Sequence, residues 1–120
     1  MEPGARPEPH EIDTINFLAE LGRDILILKP SRAKGSRTPD IRMDNRDWEI
    51  KSPKGKSSRT IENNFRAAIR QSGFIIFDLR RMQLADEKCL VNLNKEFLPR
   101  KAAKTLLVIT KDRELLDIKK

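Results

Sequence analysis

The sequence is poor in residues on which several protein classes depend. Its 120 residues include one cysteine, Cys89, and one histidine, His10. A single cysteine excludes an internal disulfide and a multi-cysteine zinc site. A single histidine excludes a two-histidine acid–base ribonuclease mechanism within one chain. There is no tyrosine and aromatic residues make up 5% of the chain, which argues against a stacking platform for single-stranded nucleic acid.

Long apolar runs are also absent. No run approaches the roughly 20 residues that a membrane-spanning helix needs, so we expect no membrane partner. The N-terminal stretch is polar and proline-rich and does not resemble a signal peptide. We interpret residues 1–9 as a flexible leader and residues 10–120 as a single domain with one hydrophobic core.

Positive charge is the feature that the sequence has in excess, and it is concentrated in one region. The net charge is +7, and the segment from Lys29 to Arg59 holds ten Lys or Arg against four acids. Such a patch favours a polyanion, most simply nucleic acid, with an acidic protein as an alternative. The apolar face that a membrane-binding helix would need is missing from this segment.

Hydrophobic periodicity predicts the element order α-β-β-β-α-β-α-β. Helices are expected over 10–21, from Ser57 or Ser58 to 72, and within 82–104 with an interruption at Pro99; strands are expected at 24–28, 40–43, 48–51, 74–79 and 105–110. The last residues form an edge strand or fray. The first helix should bury Ile12, Ile15, Leu18 and Ala19. Because the later strands are uniformly apolar, both sheet faces should be covered. The prediction is an α/β fold, a small mixed-sheet sandwich with helices on both faces.

The basic region contains a predicted β-hairpin that carries the four acids. With a turn at 44–47, residue 43 faces residue 48 and Asp40 lies near position 51. Alternate strand residues share a face, so Glu49 and Lys51 point to one side while Trp48 and Ile50 point to the core. Asp40, Glu49 and Lys51 then converge. Asp44 and Asp47 belong to the turn and are expected to be solvated.

This trio has a chemical use. Two carboxylates can hold a hard divalent cation such as Mg²⁺, which takes oxygen ligands and keeps several waters. A cation of this kind polarises a phosphoryl oxygen, and a lysine beside it neutralises developing negative charge. The bland alternative is a solvated hairpin with cross-strand ion pairs.

Four stretches carry a resemblance to a known family: "HEIDTINFLAELGRDILIL", "TPDIRMD", "WEIKSPKGKSSRTI" and "AAIRQSGFIIFDL". Over residues 10–80 they resemble the restriction-endonuclease-like core of the PD-(D/E)xK nucleases. Within that superfamily they look like the C-terminal tRNA-nuclease toxin domain of contact-dependent growth inhibition (CdiA) proteins. The toxin branch often has Asp in the acidic strand and lacks the lysine two residues on, so the E-x-K form here equally fits a DNA-cleaving relative.

The resemblance implies a site and a function. Asp40 and Glu49 would be metal ligands, Lys51 the catalytic lysine, and Glu11 the helix carboxylate, with Asp13 as the other candidate for that position. The metal would be Mg²⁺, with Mn²⁺ or Zn²⁺ as alternatives. The protein would be a metal-dependent endonuclease, secreted as the tail of a larger toxin, that cuts tRNA or other RNA in the target-cell cytoplasm. An acidic immunity protein would neutralise it, and a host cofactor protein remains open.

Two alternatives accompany that implication, a DNA endonuclease of the same superfamily and a basic module that binds nucleic acid without cutting it. Either way, a set of cationic and polar residues around the hairpin is expected to contact nucleic acid. They are Lys34, Arg37, Ser52, Lys54, Lys56, Arg59, Thr60, Arg70 and Gln71. Plain solvation of the lysines, helix capping by Thr60 and a helix-end hydrogen bond of Gln71 are the competing interpretations.

Overall fold

A computed structural model of the chain describes residues 1–30 and 38–120, and in these it contains three helices and six strands. The elements in chain order are α1 (Pro9–Glu20), β1 (Ile25–Ile27), β2 (Ile41–Met43), β3 (Arg46–Lys51), α2 (Ser58–Ile69), β4 (Phe74–Asp78), α3 (Asp86–Phe97), β5 (Thr105–Ile109) and β6 (Leu115–Ile118). The predicted order is confirmed, and the C-terminal residues add an edge strand. Within this described part, no helix combines the length and apolarity needed to cross a bilayer.

One mixed sheet organises the molecule. Its strands lie in chain order from β1 to β6, parallel between β3, β4 and β5 and antiparallel elsewhere. Parallel neighbours need crossover connections, which α2 and α3 supply. The carboxyl ends of β3 and β4 therefore meet at one edge of the sheet, which is where sites on such sheets form.

Side chains that alternate along the central strands divide the core into two layers. Ile75 and Phe77 of β4 pack with α2 and α3, for example against Phe65. Ile76, between them, packs with the α1 layer, which also contains the buried Trp48. Helices therefore cover both faces, as predicted. Trp48 lies in the core as expected, and its indole N–H donates to the Met43 carbonyl at 2.9 Å.

The buried face of α1 differs from the expected one. Ile12 is 41% exposed and Ala19 is exposed, whereas Thr14 and Phe17 are buried beside Leu18. The reason is polar: Thr14 Oγ1 donates to a carboxylate of β4 at 2.7 Å. Apolar periodicity cannot detect such a buried polar contact. The apolar run at 24–28 also suggested a buried strand, and this was wrong, because β1 is a half-buried edge strand.

The hairpin turn is shorter than predicted, and this changes the register. Asp44 and Asn45 form the turn alone, with φ values of 55° and 61°, and Met43 pairs with Arg46 rather than with residue 48. Two residues at positive φ are typical of the tight turn whose twist matches that of the strands, and Asp and Asn tolerate this conformation. Asp40 consequently lies beside Glu49, two residues before its predicted position.

The remaining two acids of the basic region lie at the surface, as expected, but Asp47 belongs to β3 and not to the turn, and both acids form ion pairs. Asp44 contacts Arg23 at 2.6 Å and Asp47 contacts Arg42 at 2.8 Å. The leader's flexibility stays a prediction. In the structure, the Glu2 N–H donates to the Ile27 carbonyl at 2.9 Å, which places this segment along β1.

The turn that fixes the register gives a stability prediction. We expect Asn45→Gly to keep or raise the free energy of unfolding, since glycine adopts positive φ without steric cost. Asn45→Val should lower it by about 1–2 kcal/mol, because a β-branched residue is strained there. Urea unfolding measures both. The control is Asn63→Val on the exposed face of α2, which should change the free energy of unfolding by less than about 0.5 kcal/mol, because Asn and Val have similar helix propensities. Equal costs for the two valine variants would contradict the assigned turn.

Candidate active site

Three carboxylates and a lysine converge at the carboxyl end of β3. Glu11, Asp40, Glu49 and Lys51 line a pocket of about 210 Å³. We call these four residues the carboxylate cluster. Three other polar residues, His10, Ser52 and Asn64, and the apolar Ile50 complete the lining of the pocket. The four residues of the cluster are those that the resemblance assigned to catalysis, and the structure brings them together.

Backbone pairing holds Asp40 against β3. Its N–H donates to the Trp48 carbonyl at 2.9 Å, and its Oδ2 accepts the Ile50 N–H at 2.8 Å. The carboxylate is therefore fixed by a main-chain donor and does not depend on a flexible partner. Because Trp48 and Ile50 flank Glu49 in the strand, Asp40 is placed directly beside that second carboxylate.

Glu49 is the most buried member of the cluster, with 5% of its surface exposed. Its Oε2 contacts the Lys51 Nζ at 3.3 Å. Its Oε1 is buried and has no hydrogen-bond partner among the described residues. A buried carboxylate oxygen without a donor costs free energy, and a proton on the neighbouring Asp40 carboxyl or a cation would remove that cost.

Glu11 reaches the cluster from the first turn of α1. Its Oε1 accepts the Glu8 N–H at 3.0 Å, which completes a capping box at the helix start. Its carboxyl also lies within hydrogen-bonding reach of Asp40. Glu11 therefore has a structural role as well as a place in the site. Asp13, the other candidate for the helix carboxylate, lines a different pocket.

The pKa values of the cluster are raised, chiefly by burial. Burial, reinforced by a hydrogen bond to Asp40, raises the pKa of Glu11 to about 7. Burial also raises the pKa of Asp40 to about 6, with the neighbouring Glu49 charge acting in the same direction. The pKa of Glu49 is raised by burial, although Asp40 and Lys51 oppose that shift. Carboxylates this close together repel one another unless a proton or a cation lies among them.

The cluster fits a divalent cation of the oxygen-binding kind. No group of three or more His, Cys, Asp or Glu within residues 1–30 and 38–120 forms a ready-made metal site. Mg²⁺ does not need one, since it is commonly held by one or two carboxylates together with waters and substrate phosphates. Asp40 and Glu49 provide such a pair, and the unpartnered Glu49 Oε1 is an oxygen atom that could bind the cation.

The structure places the expected nucleic-acid contacts unevenly. Ser52 is buried and lines the pocket. The cationic residues that follow it, Lys54, Lys56 and Arg59, are exposed in the loop after β3 and the first turn of α2, and they do not line the pocket. Thr60 packs against the loop, where a Cβ built on Gly55 would lie 2.9 Å from its Oγ1. Lys34 and Arg37 lie outside the described residues.

Arg70 and Gln71 are not brought into the cluster. They follow the end of α2, which leads into the first residue of β4. The neighbouring Ser72 donates to the Asp47 carbonyl at 2.7 Å, near the hairpin turn. This is the opposite end of β3 from Lys51. The Gln71 Oε1 is buried without a described partner.

Sequence reasoning gave Asn64 no specific role, although it lines the pocket. Its Nδ2 donates to the Thr60 carbonyl at 2.8 Å, which leaves its side-chain oxygen free of that bond. Residue 64 lies two turns into α2 on the side that faces the end of β3. The polar residues of the predicted second helix were the available signal, but Asn64 is one of several, with Asn63, Arg66 and Arg70, and the sequence does not single it out.

The raised pKa values of Glu11 and Asp40 predict that the folded protein becomes less stable as pH rises. The folded chain keeps protons on Glu11 and Asp40 that the unfolded chain releases above about pH 4. The free energy of unfolding should therefore fall as pH rises from 5 to 8 in EDTA. Glu11→Gln, which can still cap the helix, should flatten this slope, while Asp47→Asn should not. Urea titrations at each pH measure it; identical slopes for Glu11→Gln and the parent would contradict the shared-proton cluster.

Comparisons with known proteins agree with this fold. No curated protein matches the chain. A solved CdiA-CT/CdiI toxin and immunity complex from Burkholderia pseudomallei is similar, with a TM-score of 0.66 and 18% identity over 100% of this chain and 94% of that chain. This likeness confirms the fold class. Residues 37–115, which include three of the four cluster residues, match the contact-dependent growth inhibition CdiA C-terminal domain. Because that match covers well over half of its length, the chain belongs to the family of CdiA C-terminal toxin domains.

Proposed function

We propose that this toxin domain is a metal-dependent endonuclease of the PD-(D/E)xK type that cleaves RNA, most simply tRNA. The observation that carries the proposal is the convergence of Asp40, Glu49 and Lys51 around a buried, unpartnered carboxylate oxygen. Structural ion pairs rarely leave such an atom open. Exposed cations follow this anionic pocket in the chain, and a phosphodiester substrate requires cations of this kind to hold its backbone while the acids hold a metal.

Each cluster residue has a part in the proposed reaction. Asp40 and Glu49 would hold the cation, with Mg²⁺ as the expected ion and Mn²⁺ or Zn²⁺ as alternatives. When bound, the cation supplies Lewis acidity toward a phosphoryl oxygen. The Lys51 ammonium, kept near by Glu49 at 3.3 Å, stabilises negative charge that develops on the phosphoryl oxygens. Glu11, whose pKa is about 7, can accept a proton from an attacking water near neutral pH.

The substrate surface is proposed on charge and position. Lys54, Lys56 and Arg59 are exposed in the loop and first turn that follow the cluster, where they can contact phosphates on either side of the cut. Backbone contacts of this kind bind RNA and DNA alike. The choice of tRNA over DNA therefore rests on the resemblance to tRNA-cleaving CdiA domains and not on the geometry.

Membership of the CdiA family supports two further parts of the proposal. The similar solved structure is a toxin and immunity complex, and we propose that a cognate immunity protein also binds this domain. Because exposed cations follow the cluster in the chain, that protein should present an acidic surface. Delivery as the tail of a larger secreted toxin and action in the target-cell cytoplasm belong to the same proposal, and a host cofactor protein is compatible with it.

A second candidate function is a basic module that binds nucleic acid without cutting it. The favouring observation is that Glu11 is already used by the capping box and Glu49 by the Lys51 ion pair. In that case the cluster is a structural feature, and divalent cations are irrelevant to it. The two functions differ in the fate of the substrate, so cleavage decides between them.

The nuclease proposal predicts specific losses of activity. Incubated with total tRNA and with plasmid, the domain should cut in Mg²⁺ and not in EDTA. Glu49→Ala and Lys51→Ala should each lower the rate of cutting by about 100-fold or more, because the first removes a proposed ligand of the cation and the second removes the ammonium that stabilises charge on the reacting phosphate. Gel electrophoresis of the products measures this.

The matched control is Asp47→Ala, which removes an exposed acid from the same hairpin and should cut at the parent rate. Uncut substrates that stay bound equally well by all variants would favour the non-cutting module. Preference for plasmid would move the assignment to a DNA endonuclease.

The toxin proposal makes a cellular prediction. Synthesis of the domain in a bacterial cytoplasm should arrest growth, and co-synthesis of the cognate immunity protein should restore it. Lys51→Ala should be harmless and yet still co-purify with the immunity protein, because a single lysine in a pocket does not carry a whole interface. Growth arrest by the Lys51→Ala variant equal to the parent's would show that toxicity arises elsewhere.

A further inference from the structure

A second groove adjoins the carboxylate cluster at the carboxyl end of β4. It has a volume of about 360 Å³ and contains three arginines, Arg80, Arg81 and Arg113; we call it the arginine groove. Ser52 lines both this groove and the pocket of the cluster. Lys51 pairs with Phe77 in the parallel strands, so the next residues of both strands lie side by side. The arginine groove therefore continues directly from the candidate active site.

One arginine of the groove is already neutralised. Asp78, with 1% of its surface exposed, accepts the Thr14 hydroxyl at 2.7 Å and the Arg80 Nη2 at 2.8 Å. The same Nη2 donates to the Asp13 carbonyl at 3.1 Å, and the guanidinium lies over the Phe17 ring. Arg80 thus forms a rigid wall that ties α1 to the sheet, and it offers little net charge to a ligand.

Arg81, the next residue, is different. Its side chain is half-buried in the groove, and among the described residues it has no hydrogen-bond or ion-pair partner. A guanidinium presents five donors in a planar fork that matches a phosphate. A partly desolvated cation without an anion favours an external one.

Arg113 enters the groove from the β5–β6 turn. Its backbone has a conformation that is unfavourable for arginine. Its φ is 63°, and its N–H closes a turn on the Thr110 carbonyl at 3.0 Å. Such hairpin turns usually carry glycine at the positive-φ position. An arginine there lowers stability, which indicates that its side chain has another role. Its described anionic partner, Glu20 at 3.0 Å, forms a highly exposed pair that is worth little and is easily exchanged for a ligand.

We propose that the arginine groove binds a phosphate of the nucleic-acid strand next to the one held at the carboxylate cluster, with Arg81 and Arg113 as its cationic contacts. The inference deepens the proposed nuclease function and rests on it for the position of the cut. Asp13 lines the same groove, and its negative charge works against the phosphate. Removing the charge of Asp13 should therefore strengthen phosphate binding, whereas removing the charge of Arg81 or Arg113 should weaken it.

The test is binding without cutting. A fluorescein-labelled single-stranded RNA is titrated into Lys51→Ala protein in EDTA, and anisotropy is followed at several salt concentrations. Adding Arg81→Ala should weaken binding about tenfold, as loss of a charge-assisted hydrogen bond does. It should also lower the slope of log affinity against log salt by about one. Asp13→Asn in the same background should strengthen binding.

Two variants separate ligand contact from folding. Arg113→Gly should weaken RNA binding several-fold while keeping or raising the midpoint of urea unfolding, because glycine relieves the positive φ. Lys101→Ala removes one charge from an exposed loop at the opposite edge of the sheet and should bind within twofold of its background.

If Arg81→Ala and Arg113→Gly bind RNA as Lys101→Ala does, the proposal is overturned. The outcome is independent of catalysis, because the measurement needs no cutting. If these variants lose RNA binding and the parent protein does not cut, the arginine groove is supported as a phosphate site and the proposed nuclease function is rejected. If the parent protein cuts but neither arginine variant changes RNA binding, the nuclease function is supported and the proposed phosphate site in the groove is rejected.

Discussion

The structure depends on one electrostatic constraint: carboxylates are buried side by side, and the described residues supply too few cations to balance them. Asp40 is fixed to β3 by the Ile50 N–H, Glu49 is almost fully buried beside it, and Lys51 is the one lysine that contacts them in the described part of the chain. Burial raises the pKa of Asp40 and of Glu11 toward neutrality. Such a cluster costs folding free energy, and the proposed site for an external cation would explain why the fold retains it.

The surrounding fold makes this cluster possible. Parallel pairing of β3 with β4 places their carboxyl ends at one edge of the sheet, and the tight turn at Asp44 sets the register that brings Asp40 to that edge. The buried Asp78 then anchors α1 through Thr14, which holds the first turn of the helix, and with it Glu11, over the cluster. Polar contacts therefore position the site, while the apolar layers only support the sheet.

Much of this was accessible from the sequence, and the failures have physical causes. Alternation along β3 correctly separated Trp48 from Glu49, since the period of a strand is fixed. The register was missed by two residues because Asp44 and Asn45 tolerate positive φ without being glycine. The buried face of α1 was misplaced because Thr14 is held by a distant aspartate. Arg81 and Arg113 gave no signal, since residues far apart in the chain meet only in the folded protein.

The central claim is that Asp40 and Glu49 form a cation site, and direct binding of Mn²⁺ tests it independently of any substrate. Isothermal titration calorimetry at pH 8, above the raised pKa values of Glu11 and Asp40, should show one site in the parent protein. Asp40→Asn and Glu49→Gln should abolish that site, and Asp47→Asn should retain it. Binding that is absent from the parent, or that survives in Glu49→Gln, would contradict the account.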